Sequence, residues 1–244
     1  HFWAGDPYSW QVEAPELVDP DSPAAIRMDG IYDFAMIGDI RNVFGRSGDP
    51  NVLVWNHGIK SSRYADPRVL AASVDNYEDA TFLDAVEDGH DEERLKLALT
   101  FLFAVDRVPL IYTGNEYRID YSEPGSLFEP GLDEAFHAWF KEVARLRADH
   151  VSLRRGDLTW LTRNATYLSH ARVHPLEAII AAFHIDALAG RTETLEIGAA
   201  GINCGSVRNL LDPEDTDNEL SGSGAAQVLY VTHDPWEPKL LLCE

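Results

Sequence analysis

Carboxylate and carboxamide side chains gather at one point of the sequence, directly after a short apolar stretch. Around Tyr77 stand four of them: Asp75, Asn76, Glu78 and Asp79. The preceding residues, Leu70–Val74, are small and apolar at successive positions, which is typical of a strand buried on both faces in a parallel sheet. In α/β barrels the carboxyl ends of such strands carry the chemistry. The alternative interpretation is a set of helix caps and solvated turn residues.

Two further predicted strand ends carry candidate groups. His1–Gly5 is a short aromatic run that ends at an Asp-Pro pair, so Asp6 stands at its tip, although a simple Asp-Pro turn explains this pair when taken alone. Val108–Gly114 is an apolar run followed by Glu116 in a predicted turn. We expect Tyr112 to pack between the core and the rim of the sheet.

Between these strands the apolar residues recur with the period of amphipathic helices. After a predicted strand at Asp29–Phe34, the helices are expected at Ala35–Phe44, Pro50–Lys60, Asp91–Asp106 and Asp133–His150. Asp91 and Asp133 are candidate N-caps. The core-facing residues of the last two helices are expected to be Leu95, Ala98, Leu99 and Leu102, then Phe136, Trp139, Phe140, Val143 and Leu146.

From Leu158 onward the sequence changes to short β-like runs separated by Gly, Pro and Asp. The candidate strands are Leu158–Thr162, Ala165–Val173, Ala178–Ile185, Thr194–Ile197, Ser206–Leu211, Ala226–Tyr230 and Lys239–Cys243. The acidic, glycine-rich segment Asp212–Gly224 is predicted to be a flexible loop.

The string around Tyr77 resembles the last short motif of the α-amylase family of glycoside hydrolases, roughly F-x-D-N-H-D-x-x-R-F. In an ungapped alignment Asp75, Asn76 and Phe82 match the motif. Tyr77 stands where the family has a substrate-binding histidine, and Glu78 where it has an aspartate that stabilises the transition state.

The same alignment places Thr81 on the arginine of the motif. A rival register inserts one residue, which puts Asp79 on the family's aspartate and leaves Glu78 as the extra residue. That register loses the match at Phe82, so the ungapped one is preferred.

Other segments resemble the same family in the same order. Leu97–Glu116 is similar to the family's "lallltlpGiPviYyGdE", with Tyr112 and Glu116 coinciding. Trp139–Leu161 is similar to the last barrel helix and its exit. Asp6 stands where the family's fifth strand ends in Gly-Glu, whose glutamate is the general acid/base.

The resemblance implies an α/β fold class, with a partial (β/α)8 TIM barrel followed by a small antiparallel β-sandwich. Strands five to eight of the barrel would occupy residues 1–156, and the sandwich residues 157–244. The strand tips at Asp6, 75–78 and 115–116 would then converge around one sugar-sized hollow. The resemblance implies Asp6 and Glu78 as catalytic residues, and as substrate-binding residues Asp75, Asn76, Tyr77, Tyr112 and Glu116.

Family members cleave or transfer α-glucosidic bonds with retention, using a nucleophile and an acid/base carboxyl about 5–5.5 Å apart. The family's nucleophile lies in a Gly-x-Arg-x-Asp motif that these 244 residues lack. The chain also begins without Met, inside a predicted strand. We therefore expect a fragment of an α-glucan-acting retaining hydrolase or transglycosidase, inactive by itself.

The two implied catalytic positions are altered, which predicts a degenerate active site. Asp6 is one methylene shorter than the family's glutamate, and Glu78 one methylene longer than its aspartate. The alternative function is a catalytically inactive amylase-like module that binds a glycan or a protein partner.

Composition limits the partners. With 20 basic and 41 acidic residues the net charge is −21, which repels nucleic acids and anionic membranes and is compatible with a neutral α-glucan or oligosaccharide. A half-barrel also has two open strand edges, which predicts self-association.

The residues indicate no resident cofactor. The two cysteines, Cys204 and Cys243, lack metal-ligand spacing, and their pairing and the cell compartment stay open. The family's calcium ligands lie largely in the part that this chain lacks, so we expect no cofactor here and leave calcium to a longer parent.

Overall fold

The structure is a computed structural model of the chain, and it describes residues 21, 30–76, 80–120, 132–186 and 190–244. Three short parallel strands form one sheet in chain order: β1 (Ile31–Tyr32), β2 (Leu70–Ala72) and β3 (Val108–Pro109). Ile31 lies opposite Leu70, and Ala71 opposite Val108. The further strand predicted at 1–5 lies outside the described residues.

Helices follow each strand, close to the predicted positions. They are α1 (Phe34–Ile40), α2 (Asn51–Arg63), α3 (Asp91–Ala104), α4 (Glu134–Asp149) and α5 (Val151–Arg155). Asp133 caps α4 as predicted, accepting from the backbone N–H of Phe136 at 2.9 Å. The prediction for Asp91 is wrong: this residue lies in the first turn of α3, where its charge suits the helix dipole.

Three elements in this part of the chain differ from the prediction. The helix expected at Ala35–Phe44 changes after Ile40 into a π-helical turn, Arg41–Gly45. The strand expected at Val108–Gly114 has only two residues, and the chain then turns through Gly114, whose φ is +105°. Helix α5 was not predicted; it begins after His150, whose extended backbone interrupts α4.

Helix α3 forms the centre of the larger core. Its predicted stripe of Leu95, Ala98, Leu99 and Leu102 is fully buried. Phe101 of α3 contacts Phe44 and Phe183, with ring centroids 5.3 and 5.7 Å away. Because Phe183 belongs to the antiparallel part of the chain, one apolar core joins that part to the helices.

The remaining strands are antiparallel and form two sheets. A five-stranded sheet has the order β4 (Asp157–Asn164), β5 (Tyr167–His174), β6 (Glu177–His184), β11 (Pro238–Cys243) and β8 (Val207–Asn209). A three-stranded sheet has the order β7 (Arg191–Leu195), β10 (Val228–His233) and β9 (Asn218–Ser221). A second apolar cluster contains residues of both sheets. The domain division at 156/157 remains a prediction.

Strand β9 corrects the prediction of a flexible loop at Asp212–Gly224. It pairs antiparallel with β10, Leu220 lying opposite Leu229. The segment before it is held by Asp215, whose carboxylate accepts from Lys239 at 2.5 Å and from Asn209 at 2.9 Å. These contacts join residues that are apart in the sequence, so the polar composition of the segment could not predict them.

A chain of polar contacts connects Asp33, the N-cap of α1, with β4. The Asp33 carboxylate accepts from Arg107 Nε at 3.2 Å, and Arg107 Nη1 donates to Asp106 at 2.8 Å. His57 Nε2 lies 3.0 Å from Asp106, and the indole N–H of Trp160 donates to His57 Nδ1 at 3.3 Å. Since an indole can only donate, Nδ1 accepts and the proton of the neutral ring lies on Nε2.

Two arginines cover the end of α3. Arg172 of β5 donates to the carbonyl oxygens of Ala104 at 2.7 Å and Gly156 at 3.1 Å. Arg147 of α4 donates to the carbonyl oxygen of Val105 at 3.2 Å. Cations at the carboxyl end of a helix satisfy its free carbonyls and oppose its dipole.

A disulfide joins Cys204 to Cys243, and so fixes the last strand to the segment after β7. No helix among the described residues combines the length and the apolar character needed to cross a bilayer.

Candidate functional site

The candidate site lies where β2 and β3 end. Parallel strands that are neighbours in one sheet point their carboxyl ends to the same edge, so the segments that follow them lie side by side. After β2 the chain continues through Ser73 and Val74 to Asp75 and Asn76, all buried. After β3 it reaches a 3-10 turn, Asn115–Tyr117.

Asp75 is the best-defined polar group of this site. Its side chain is buried; Oδ2 accepts from Asn115 Nδ2 at 2.7 Å and Oδ1 accepts from the backbone N–H of Phe82 at 2.6 Å. Burial raises the pKa of the Asp75 carboxyl above its ordinary value, and these two hydrogen bonds and the charge of Arg41 oppose that shift in part. A buried carboxylate with such donors is a fixed hydrogen-bond acceptor.

Local contacts shape the backbone before Asp75. Its own N–H donates to the Ser73 hydroxyl oxygen at 3.2 Å, and that hydroxyl donates back to the Asp75 carbonyl. Burial raises the pKa of the Tyr32 phenol; a hydrogen bond with Ser73 lowers it in part and the neighbouring Tyr112 raises it further. Groups from β1, β2 and β3 therefore meet at this edge of the sheet.

Glu116 and Tyr112, both predicted to bind substrate, are described by the structure. Glu116 Oε2 accepts from the backbone N–H of Gly114 at 2.8 Å, so its carboxylate is turned toward its own loop. Tyr112 is half-buried, next to Tyr32. Their role in substrate binding remains a prediction.

Of the remaining predicted site residues, the structure describes Asn76 alone. Asp6, Tyr77 and Glu78 lie outside the described residues, as does Asp79 of the rival register. Asn76 is buried beside Asp75. The predicted catalytic pair is therefore untested, while the tips of two strands do meet through Asp75 and Asn115.

Asn115 is a functional candidate that the residue-level prediction missed. Its side chain is buried and reaches a carboxylate that lies 40 residues earlier in the sequence. The expected convergence of the segments 75–78 and 115–116 was the available signal. That expectation identified the correct loop, but it selected Glu116, the residue next to Asn115.

One aromatic residue of the loop after β3 packs against a helix. The Tyr117 ring stacks on His137 of α4, with ring centroids 4.1 Å apart and planes inclined by 4°. This contact holds the loop after β3 against α4.

The described residues hold no group of three or more His, Cys, Asp or Glu side chains with the geometry of a metal site. The expectation about calcium in a longer parent is not tested by this observation. The polar groups of the site can accept hydrogen bonds from hydroxyl groups and donate hydrogen bonds to them.

No protein-family model matches the chain. A cyclomaltodextrinase of a Bacillus species is 29% identical over 146 residues, a match that spans 57% of this chain and 26% of the relative. An α-amylase from Geobacillus thermoleovorans, solved in complex with acarbose, superimposes with a TM-score of 0.81 and 19% identity over 99% of this chain and 52% of its own.

An Anoxybacillus α-amylase superimposes with a TM-score of 0.77 at 20% identity, covering 96% of this chain and 50% of the amylase. The chain thus has the fold of about half of each of these solved structures. It spans about a quarter of the length of the curated relative that it matches.

Proposed function

Over part of its length this chain is related to the α-amylase family, and from that relationship we propose that it supplies part of a site that binds an α-glucan and cleaves or transfers it. The observation that carries the proposal is the Asp75–Asn115 pair at the carboxyl ends of β2 and β3. Ionised carboxylates accept, and amides both donate and accept, which suits the hydroxyl groups of a sugar.

In the proposed reaction a carboxylate nucleophile attacks the anomeric carbon while an acid protonates the leaving glycosidic oxygen. Water, activated by the same acid/base residue, then releases the sugar with retained configuration. We assign Asp6 to the acid/base role and Glu78 to stabilisation of the transition state. The nucleophile would come from residues outside these 244, so the chain by itself is expected to bind and not to cleave.

The architecture proposed for this function divides the chain in two. Residues 1–156 would be the second half of a (β/α)8 barrel, and residues 157–244 a β-sandwich beside it. Support comes from the parallel order of β1 to β3 and from the two antiparallel sheets that share a core. The proposed ligand is a neutral α-glucan, with nucleic acids and membranes excluded by charge.

Titration of the 244-residue chain with maltoheptaose, followed by NMR, tests the glucan-binding part. We expect the amide signals of Asp75, Asn76 and Asn115 to shift, and Asp75→Ala to weaken binding by about tenfold, the loss of a charged hydrogen bond. Cellohexaose, with β-linkages, is the control ligand. Absence of binding, or equal binding of both sugars, would refute the proposal.

A longer protein that contains these residues and a nucleophile tests the catalytic part with a starch assay. Restoring both carboxyl lengths with Asp6→Glu and Glu78→Asp should raise the rate by about a hundredfold, because displacements of about 1 Å cost that much. Glu142→Asp, at an exposed glutamate of α4, serves as the matched control. An unchanged rate in the doubly substituted protein would remove Asp6 and Glu78 from their assigned roles.

A further inference from the structure

Arg41 is a buried cation next to the loop that carries the candidate site. It is the first residue of the π-helical turn and is 7% exposed. Its Nη2 donates to the carbonyl oxygen of Thr81 at 3.3 Å and to that of Ala80. A guanidinium is charged at all relevant pH values, so burying it requires such acceptors.

The loop that receives Arg41 is the one that returns to Asp75. The backbone N–H of Phe82 donates to Asp75 Oδ1 at 2.6 Å, and the Phe82 ring is fully buried. Thr81 and Asp84 form a small turn with two reciprocal hydrogen bonds. The Thr81 N–H donates to Asp84 Oδ2 at 2.8 Å, and the Asp84 N–H donates to Thr81 Oγ1 at 3.2 Å. The turn at 80–84 is therefore a compact unit attached to Asp75 on one side and to Arg41 on the other.

The charge of Arg41 also acts on the site. It favours the ionised form of Asp75 and so lowers the pKa of that carboxyl, against burial and the neighbouring Asp120, which raise it. In the aligned motif Thr81 occupies the position of an arginine. The guanidinium of Arg41 lies against the carbonyl of that same Thr81, delivered from a different element.

We propose that Arg41 is a positioning residue of the candidate site, which holds the 80–82 turn against Asp75 and supplies the positive charge that the motif lacks at Thr81. A fixed, ionised Asp75 then presents its remaining lone pairs to the hydroxyl groups of a glucan. The glucan part of this inference rests on the proposed function. The positioning of Asp75 does not.

The test compares Arg41→Gln and Arg41→Lys with the unmodified chain, and uses Arg46→Gln as the control at a nearby exposed arginine. The pKa of Asp75 is followed through its carboxyl carbon by NMR, and maltoheptaose binding and thermal unfolding are measured in parallel. We expect Arg41→Gln to raise the pKa of Asp75 and to weaken maltoheptaose binding about tenfold. Arg41→Lys should leave the pKa of Asp75 close to its value in the unmodified chain, because lysine keeps the positive charge.

Several outcomes would overturn the inference. One is a folded Arg41→Gln protein in which Asp75 titrates as in the unmodified chain, and another is an equal shift in Arg46→Gln. If Arg41→Gln does not fold, Arg41→Lys decides, since unchanged amide signals at Ala80 and Thr81 would contradict the carbonyl contacts. Failure of the unmodified chain to bind maltoheptaose would refute the proposed function alone, because the titration of Asp75 still tests the positioning.

Discussion

The Asn115 side chain donates from Nδ2 to Oδ2 of Asp75 at 2.7 Å, and both side chains are buried. This bond joins the loop after β3 to the loop after β2. A buried carboxylate keeps its charge only where donors face it. The pair therefore fixes the relative position of two strand tips and supports the ionised form of Asp75.

Asn115→Ala should destabilise the protein by about 1–3 kcal/mol, because it leaves one oxygen of a buried carboxylate without a donor. Urea unfolding at pH 7 measures this loss. Asn203→Ala, at an exposed asparagine, is the control and should stay within about 0.5 kcal/mol of the unmodified chain.

Asn115→Asp should be more destabilising at pH 7 and should recover stability in acid. Two carboxylates at this distance cannot both ionise at low cost, so one folded-state pKa rises above its unfolded value. The folded state then binds more protons than the unfolded chain, and stability increases as pH falls through that raised pKa. A stability–pH profile parallel to that of the unmodified chain would show that residues 75 and 115 do not meet.

Two buried histidines should make the antiparallel part sensitive to acid. Burial lowers the pKa of His170 to about 3, and burial together with Lys239 lowers that of His233 to about 3. Below pH 6.5 the unfolded chain takes up protons that the folded protein does not, so this stability is complete above pH 6.5 and falls toward pH 3. At pH 5 each histidine should lower the free energy of unfolding by about 2 kcal/mol relative to neutral pH.

His170→Phe should remove the part of the acid-induced loss of stability that is due to His170. The His170 ring lies among Phe101, Trp160 and Phe183, with centroids 5.3–6.0 Å away, so a phenyl ring suits this position. Urea midpoints at pH 7 and pH 5 give the comparison. His174→Phe, at a half-buried position of the same strand, should lose as much stability in acid as the unmodified chain. An equal loss in His170→Phe would contradict a neutral buried ring.

The helices could be predicted from the sequence because their apolar spacing is a local property. The stripe of α3 and its complete burial illustrate this, as does the Asp133 cap of α4. Short strands are less visible, because two or three residues carry no period. Strand β3 ended five residues before its predicted limit at Gly114, where a positive φ turns the chain.

The contacts of the candidate site depend on residues far apart in the sequence. Arg41 and Thr81 are separated by 40 positions, and neither has a local feature that indicates the contact. The resemblance of two segments to the family drew attention to Asp75 and Glu116 and could not supply Arg41, which lies outside both segments. Because neighbouring parallel strands end at the same edge of a sheet, the sequence could predict that the two loops meet. The side chains that contact each other could be identified only from the structure.

The disulfide between Cys204 and Cys243 should stabilise the protein substantially. It links positions 39 residues apart, and constraining an unfolded loop of that length is worth roughly 4 kcal/mol in the chain-entropy model. Replacing both cysteines by alanine should lower the urea midpoint by the same amount as reduction of the unmodified chain. Two thiols that react in the unreduced, folded protein would contradict the pairing.

Trp236 connects the β10–β11 turn to α3 at a strained backbone position. Its φ is +56°, and its buried ring lies 3.9 Å from the guanidinium carbon of Arg94. Arg94 is itself fixed by Asp88 at 2.6 Å and by the Phe44 carbonyl at 2.8 Å. The tryptophan therefore adopts a left-handed conformation that costs about 1–2 kcal/mol, and its contact with the arginine offsets that cost.

Trp236→Ala should destabilise the protein by about 3–5 kcal/mol through the lost contacts. Trp236→Gly loses the same contacts but is free of the backbone strain, so it should be more stable than Trp236→Ala by about 1 kcal/mol. That order is the reverse of the one found within helices and strands, where glycine is the less stable residue. Urea unfolding of both variants under the same conditions measures the difference, and Tyr230→Ala against Tyr230→Gly, within strand β10, provides the normal order. If glycine is the less stable residue at position 236 as well, the contact with Arg94 does not hold this turn in a left-handed conformation.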